Sequence, residues 1–326
     1  MNDPHPFADF IRILGRGPNL SRALSRDEAR KAMTMILEGM VAPVQLGAFL
    51  MLLRYRSETP EELAGFIAAV RAKITPAPDQ APDLDWPSYA DRHKQMPWFI
   101  LASLALAQSG IKIAMHGISG DESSFLQTRP VLKAFRVPFA ASAREAGTVL
   151  VSQNLVYLPL ESLSPGLNDL FSLRELLGLR SAVNSLARAL NPLRAPAQIQ
   201  GVFHPNYRDL HLGAAALLDQ QHAVIFKGGG GEGQRNPDKP CAVLTLEAGK
   251  TGEEDWPTLS PAPYGWREET PSLDNLVALW KGTREHGAAQ RAITGTMALV
   301  LKMLGRAESQ EAAQSLAEKL WAERLG

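Results

Sequence analysis

Apolar residues recur at helical spacing through residues 7–74. Phe7, Phe10, Ile11 and Leu14 fall on one face of a short helix. Ser25 and Glu28 form a capping box, in which the serine side chain accepts an N–H and the glutamate reaches back. Ala32, Met33, Met35, Ile36 and Met40 then make one apolar stripe. Thr59-Pro60-Glu61-Glu62 supplies an N-cap, a proline at the first helical position and a glutamate at the third, ahead of Leu63, Phe66, Ile67 and Val70. Residues 75–87 carry Pro76, Pro78, Pro82 and Pro87, a density that predicts a hinge.

Beyond the prolines the pattern changes. An apolar helical run, Trp98–Ala107, is followed by short β-rich runs at Ile111–Ala114, Val149–Val151, Ala223–Phe226 and Ala242–Leu246. This alternation predicts an α/β domain with a mostly parallel sheet flanked by helices, beside a small all-helical domain. Residues 163–190 are helical without a β partner and are expected to rejoin the N-terminal helices. Residues 286–325 are helical again. The expected organisation is a helical domain over 1–74 joined by about 163–190, a hinge over 75–87, and an α/β domain over 88–162 and 191–326.

Charge and composition narrow the function. The 326 residues hold 34 Lys+Arg and 34 Asp+Glu, which excludes a globally basic nucleic-acid binder but not a basic face. The signs are unevenly spread. Arg174, Arg180, Arg188, Arg194 and Arg208 face one acid, Glu175, across 174–208, whereas 241–326 holds 9 basic and 12 acidic residues. A single cysteine, Cys241, excludes a disulfide framework or a thiolate metal cage within one chain. No apolar run is long enough for a membrane span, and the N-terminus does not read as a secretory signal, so the cytoplasm is the expected compartment and no membrane partner is expected. The seven histidines include no His-Glu-x-x-His pattern, so neither a metal nor a cofactor is expected.

Three blocks carry a resemblance. Gln45-Leu-Gly47-Ala-Phe-Leu-Met-Leu-Leu-Arg54 with Ser57-Glu-Thr59-Pro60-Glu61-Glu62-Leu-Ala-Gly65 resembles the N-terminal helices of anthranilate phosphoribosyltransferases. Gly110–Gly117 looks like the strand that enters that family's His-Gly loop, here His116 and Gly117. Arg174–Asn184, with Asn191-Pro192 and Gln198–Pro205, is similar to the stretch holding its aromatic-acid arginine, here Arg174. The resemblance implies a helical domain plus an α/β domain, and a homodimer through the helical domain.

The family's phosphoribosyl chemistry does not map onto these residues. Its Gly-Thr-Gly-Gly-Asp-Gly loop, which lets backbone amides approach a pyrophosphate, aligns with Trp86–Gln95, which contains no glycine. Its lysine before His-Gly aligns with Met115, and its paired acids for magnesium fall at 227–233, where only Glu232 remains. Arg174, His116, Gly117 and Glu232 thus read as a vestigial substrate site without catalytic residues. The pattern looks like a divergent branch of the family, the YbiB-like proteins, whose resemblance implies basic surface for nucleic acid.

Three stretches offer such a surface. Trp86 and Tyr89 interleave with Arg92 and Lys94, the combination that stacks bases and neutralises phosphates; the alternative is that Trp98 and Phe99 only begin a buried helix there. Arg188 and Arg194 flank a loop and carry the guanidinium fork that suits phosphate. Lys227 and Arg235 bracket Gly228–Gly231 and Gly233, which read as a mobile loop that a phosphate could approach. The expectation is a non-catalytic, sequence-nonspecific DNA- or RNA-binding homodimer. The alternative is a phosphoribosyl transferase with an altered substrate, in which Glu232 would help hold Mg2+.

Overall fold

The computed structural model describes all residues except 1–4, 75–80, 91–94, 120–125, 265, 267–269 and 326. Four helices open the chain: α1 (Ala8–Gly15), α2 (Arg26–Leu37), α3 (Pro43–Arg56) and α4 (Pro60–Lys73). Both capping boxes form. Ser25 and Thr59 each accept the third helical N–H, while Glu28 and Glu62 accept the cap N–H in return. Leu63, Phe66, Ile67 and Val70 of α4 are buried against Phe49, Leu50 and Leu53 of α3 and Ala29, Ala32 and Met33 of α2.

The second layer is a seven-stranded sheet. It contains β1 (Leu84–Ser88), β2 (Ile113–Gly117), β3 (Leu155–Pro159), β4 (Ala197–Val202), β5 (His222–Lys227), β6 (Cys241–Glu247) and β7 (Lys250–Trp256), in the order β3-β2-β1-β4-β5-β6-β7. The first five run parallel, and β6 and β7 form an antiparallel extension. The order reverses between β1 and β4, which makes their carboxyl ends the topological switch point where open α/β sheets take ligands.

The linking helices are α5 (Trp98–Gln108), α6 (Thr128–Ala134), α7 (Ala143–Ser152), α8 (Leu160–Leu163), α9 (Pro165–Leu177), α10 (Ala182–Arg188), α11 (Tyr207–Leu217), α12 (Leu273–Trp280), α13 (Gly287–Met303) and α14 (Gln310–Glu323). Helices α5, α13 and α14 cover one sheet face. Helices α9 and α10 bury Leu167, Leu170, Ala182, Val183 and Leu186 in the same core as α2–α4.

Two expectations fail for physical reasons. The hinge assigned to 75–87 ends in a central strand, since Leu84–Ser88 is β1; residues 75–80 lie outside the described residues. Pro87 is tolerated because β1 pairs with β2 along its length but with β4 only at Leu84 and Asp85, so no N–H is needed toward β4 beyond that point. Val149–Val151 is helix rather than strand. Ser142 caps α7, and Ala143, Ala146 and Leu150 bury one helical stripe, which outweighs the β preference of the valines. Among the described residues no helix is long and apolar enough to cross a membrane.

Gly65 marks the closest approach of α2 and α4. A Cβ there would lie 2.3 Å from the Arg26 carbonyl oxygen and 2.7 Å from the Ala29 Cβ. Gly65→Ala should therefore cost about 1–3 kcal/mol by overpacking and lower the midpoint of thermal unfolding followed by circular dichroism. Gly47→Ala, whose Cβ meets nothing within 4 Å, should be neutral or raise the midpoint slightly through helix propensity.

Candidate functional site

Two donor chains converge on Asp85, a fully buried residue of β1. In the first, the Tyr89 hydroxyl lies 2.7 Å from His116 Nδ1, and His116 Nε2 lies 3.2 Å from Asp85 Oδ1 and 3.4 Å from its Oδ2. With the Tyr89 hydroxyl donating, His116 carries its proton on Nε2 and passes a hydrogen bond to the carboxylate. In the second, His211 Nδ1 donates to Gln200 Oε1, Gln200 Nε2 to Gln198 Oε1 (2.6 Å), and Gln198 Nε2 to Asp85 Oδ2 (2.7 Å). Alternation along β4 puts Gln198 and Gln200 on one face, and one turn of α11 brings His211 over them. The network thereby links β1, β2, β4 and α11, and Tyr89 stacks on Phe171 of α9 at 6.0 Å.

Glu232 closes the switch point above this network. Its carboxylate accepts the Ala90 N–H at 2.7 Å and the Ser88 hydroxyl at 3.3 Å, and the residue is 2% exposed. The glycine stretch that delivers it is pinned, not the mobile loop expected from its composition. A Cβ at Gly201 or Gly228 would lie 1.8 or 1.7 Å from the Glu232 carbonyl oxygen, so glycine at both positions is what lets the chain cross. Gly231 N–H and Glu232 N–H donate back to Gly228 and Gly229, and Gln234 accepts the Phe99 N–H.

The expected nucleic-acid residues separate. Trp86 is fully buried, packs on Phe99 at 6.4 Å, and its indole N–H has no hydrogen-bond partner among the described residues. Tyr89 is 1% exposed inside the Asp85 network. Neither presents a ring to solvent, because both extend β1 into the core. Arg235 is equally unavailable. Its guanidinium donates to the Pro257 carbonyl and lies over Trp256 at 5.2 Å, its N–H donates to Thr296, and burial pushes its pKa down to about 10. Arg92 and Lys94 lie outside the described residues.

Arg188, half-buried at the end of α10, is close enough to act electrostatically on both Tyr89 and His211. Arg194 is exposed in a left-handed turn that Asn191 holds by exchanging hydrogen bonds with Ala195. It precedes β4, whereas the exposed Lys227 ends β5. Ala197 pairs with His222 and Val202 with Lys227, so Arg194 lies before the amino ends and Lys227 at the carboxyl end of strands that rise about 16 Å at 3.3 Å per residue. Among the described residues the expected cations do not share one face. Arg174 is half-buried in the last turn of α9; His116 and Gly117 lie in β2.

At the family's magnesium position, Glu232 Oε1 accepts an N–H and an O–H donor. Among the described residues no three or more His, Cys, Asp or Glu side chains gather as metal ligands would. A sequence reading passed over Asp85, Gln198, Gln200 and His211. The one signal available was polar residues at alternate positions of an otherwise apolar strand, Gln198-Ile199-Gln200.

Residues 8–74 match the helical bundle domain of the glycosyl transferase family, and residues 99–321 match its a/b domain. The chain is 30% identical over 264 residues to an anthranilate phosphoribosyltransferase of Roseiflexus sp. (strain RS-1), covering 79% of this chain and 76% of that one. It is 27% identical over 248 residues to the protein YbiB of Escherichia coli (strain K12), covering 74% and 76%. The crystal structure of anthranilate phosphoribosyltransferase from Thermus thermophilus superposes with a TM-score of 0.80 at 23% identity, over 99% of this chain and 96% of that one. A helical bundle beside a mostly parallel sheet, matched across both domains, places the chain in the glycosyl transferase family with the anthranilate phosphoribosyltransferase fold.

Burial, assisted by the nearby Arg188 charge, pushes His211 down to about 3 from an ordinary value near 6.5. The folded state thus holds His211 neutral while the unfolded chain protonates it. The stability it contributes is complete above pH 6.5 and is lost as pH falls toward 3, at up to about 1.4 kcal/mol per pH unit. Urea unfolding should show stability falling from pH 7 to 5. His211→Gln should be less stable at pH 7 and should lose less over the same interval.

Proposed function

We propose that this chain is a non-catalytic, sequence-nonspecific nucleic-acid-binding homodimer built on the phosphoribosyltransferase scaffold. The observation that carries this reading is the Glu232 carboxylate on the Ala90 N–H. At the switch point a transferase of this fold needs backbone donors free for an anion. Here the donor at the end of β1 is taken by the Glu232 carboxyl group, which leaves that N–H unavailable to a pyrophosphate. Burial of Met115 and Trp98 supports the same reading, because apolar side chains fill positions that the resemblance gives to polar contacts.

The basic residues outside that site supply the electrostatics. Exposed Lys227 and Arg194 can reach phosphates at opposite ends of the sheet, so a strand that meets both must cross the domain. A dimer lengthens such a track by repeating it about a two-fold axis. The helical domain offers a face for this, since Leu20, Met40, Val44, Tyr55, Leu176 and Leu179 are exposed large apolar side chains. Reading phosphates rather than base edges gives little sequence preference and steep salt dependence.

A second reading, a phosphoribosyl transferase with an altered substrate, is favoured by the activity named for the relative from Roseiflexus. Arg174 would then hold a carboxylate or phosphate.

Fluorescence anisotropy with labelled oligonucleotides at several salt concentrations separates the two. Binding whose log K falls steeply with log salt supports the nucleic-acid reading, and Arg194→Glu should flatten the slope by about 0.7–0.9 if one phosphate contact is lost. Absence of binding at low salt, together with turnover of phosphoribosyl pyrophosphate and anthranilate, would establish the transferase instead.

A further inference from the structure

A second concavity lies on the outer side of the glycine stretch, away from Asp85. It encloses about 910 Å³ between the carboxyl end of β5, the start of α11 and the segment after β7. Its wall combines two kinds of group. Phe203 is 55% exposed and Tyr264 38% exposed, in a protein whose other rings are mostly buried. Around them stand Arg208, Lys227 and Lys239, with Gly228–Gly230 as floor.

The geometry is built. The Tyr264 N–H and the Trp266 indole N–H both donate to Asp238, which fixes the aromatic wall, and Tyr264 meets Trp266 edge-on at 4.9 Å. Phe203 is braced edge-on by His204 at 4.9 Å. Arg208 is anchored to the Ala242 carbonyl at 3.0 Å, with Glu253 at 3.5 Å on its outer side. Lys227 and Lys239 have no acidic partner among the described residues. Asp238, whose Oδ2 accepts both wall donors, is an acid in the lining set against the three cations Arg208, Lys227 and Lys239, so the balance of charge around the cavity is positive. Partly exposed aromatic rings beside Lys227 and Lys239 suit a planar base with a phosphate attached.

We propose that this cavity seats one unstacked nucleobase on Phe203 and Tyr264, with the flanking phosphates on Lys227 and Lys239. The inference rests on the nucleic-acid reading and deepens it: the protein takes single strands in preference to duplex. A paired base keeps its faces inside the helical stack and cannot lie on a protein ring, whereas a single strand offers both base face and phosphate at low cost. The same chemistry occurs in a free nucleotide, and the test separates the two.

The test is anisotropy of a fluorescein-labelled oligothymidylate and of a duplex of equal length, with wild type and variants. Phe203→Ala and Tyr264→Ala should each weaken single-strand binding between about 5- and 150-fold, the range for one lost base stack. Duplex affinity and the salt slope should stay unchanged, because no phosphate contact is removed. Phe203→Trp should retain binding, and an unaltered melting temperature should show that the exposed position is not structural. Lys227→Glu with Lys239→Glu should weaken binding and flatten the salt slope. Equal losses for strand and duplex, or no loss with Phe203→Ala and Tyr264→Ala in a protein that binds oligonucleotides, would overturn the pocket alone. Failure of wild type to bind either oligonucleotide at low salt would overturn the pocket and the nucleic-acid reading together. Binding of AMP that Phe203→Ala abolishes, with no oligonucleotide binding, would assign the cavity to a free nucleotide and overturn the strand proposal.

Discussion

The fold turns on one buried acceptor. Asp85 sits in the central strand with no exposure, and the side chains of His116 and Gln198 donate toward it from the strands on either side. A buried carboxylate is costly unless its lone pairs are filled, and removing one partner leaves that cost uncompensated. The two donor chains that reach Asp85, each hydrogen-bonded to its Oδ2, fix much else. His116 is held in β2 in one tautomer, Gln198 and Gln200 must face the same way on β4, and α11 must place His211 above them. Tyr89 carries the constraint to the helical domain through Phe171. Register, helix placement and domain contact are therefore coupled through hydrogen bonds as well as through apolar burial, which is non-directional.

Above that network the chain folds back over the switch point. The strap from Gly228 to Arg235 touches β1 through Glu232, α5 through Gln234 and α13 through Arg235. Glycine lets it approach β4 and β5 at distances a side chain would forbid. The same residue type that cradles phosphates elsewhere here seats a carboxylate. Glycine supplies access; what uses the access is decided by the charge that the neighbouring residue brings.

Fold and site are separate observations. The fold is that of an anthranilate phosphoribosyltransferase over nearly the whole chain, helical bundle and sheet together. Fold alone does not carry chemistry, which lives in the site. The exposed aromatic and cationic groups line the cavity to which the strap contributes Gly228–Gly230.

Local signals along the chain determined the capped helices after Ser25 and Thr59, the apolar helix from Trp98, and strands β2, β5 and β6, because capping chemistry and short-range periodicity act within a few residues. Family membership was legible for the same reason, in contiguous blocks. Strand β1 was not, since its tolerance of Pro87 depends on where β4 stops pairing. Nor was α7, where packing overrode the β-branched residues. The aromatic and basic residues around positions 86–99 and 227–235 looked alike in sequence, but only long-range packing decides which rings lie in the core and which cations reach solvent. Trp86, Tyr89 and Arg235 are inside because the strands and strap that carry them are central, and Phe203 and Tyr264 are outside because theirs have ended. Burial is set by contacts between residues far apart in the chain, so tertiary structure alone could sort the groups that hold the fold from those left at the surface.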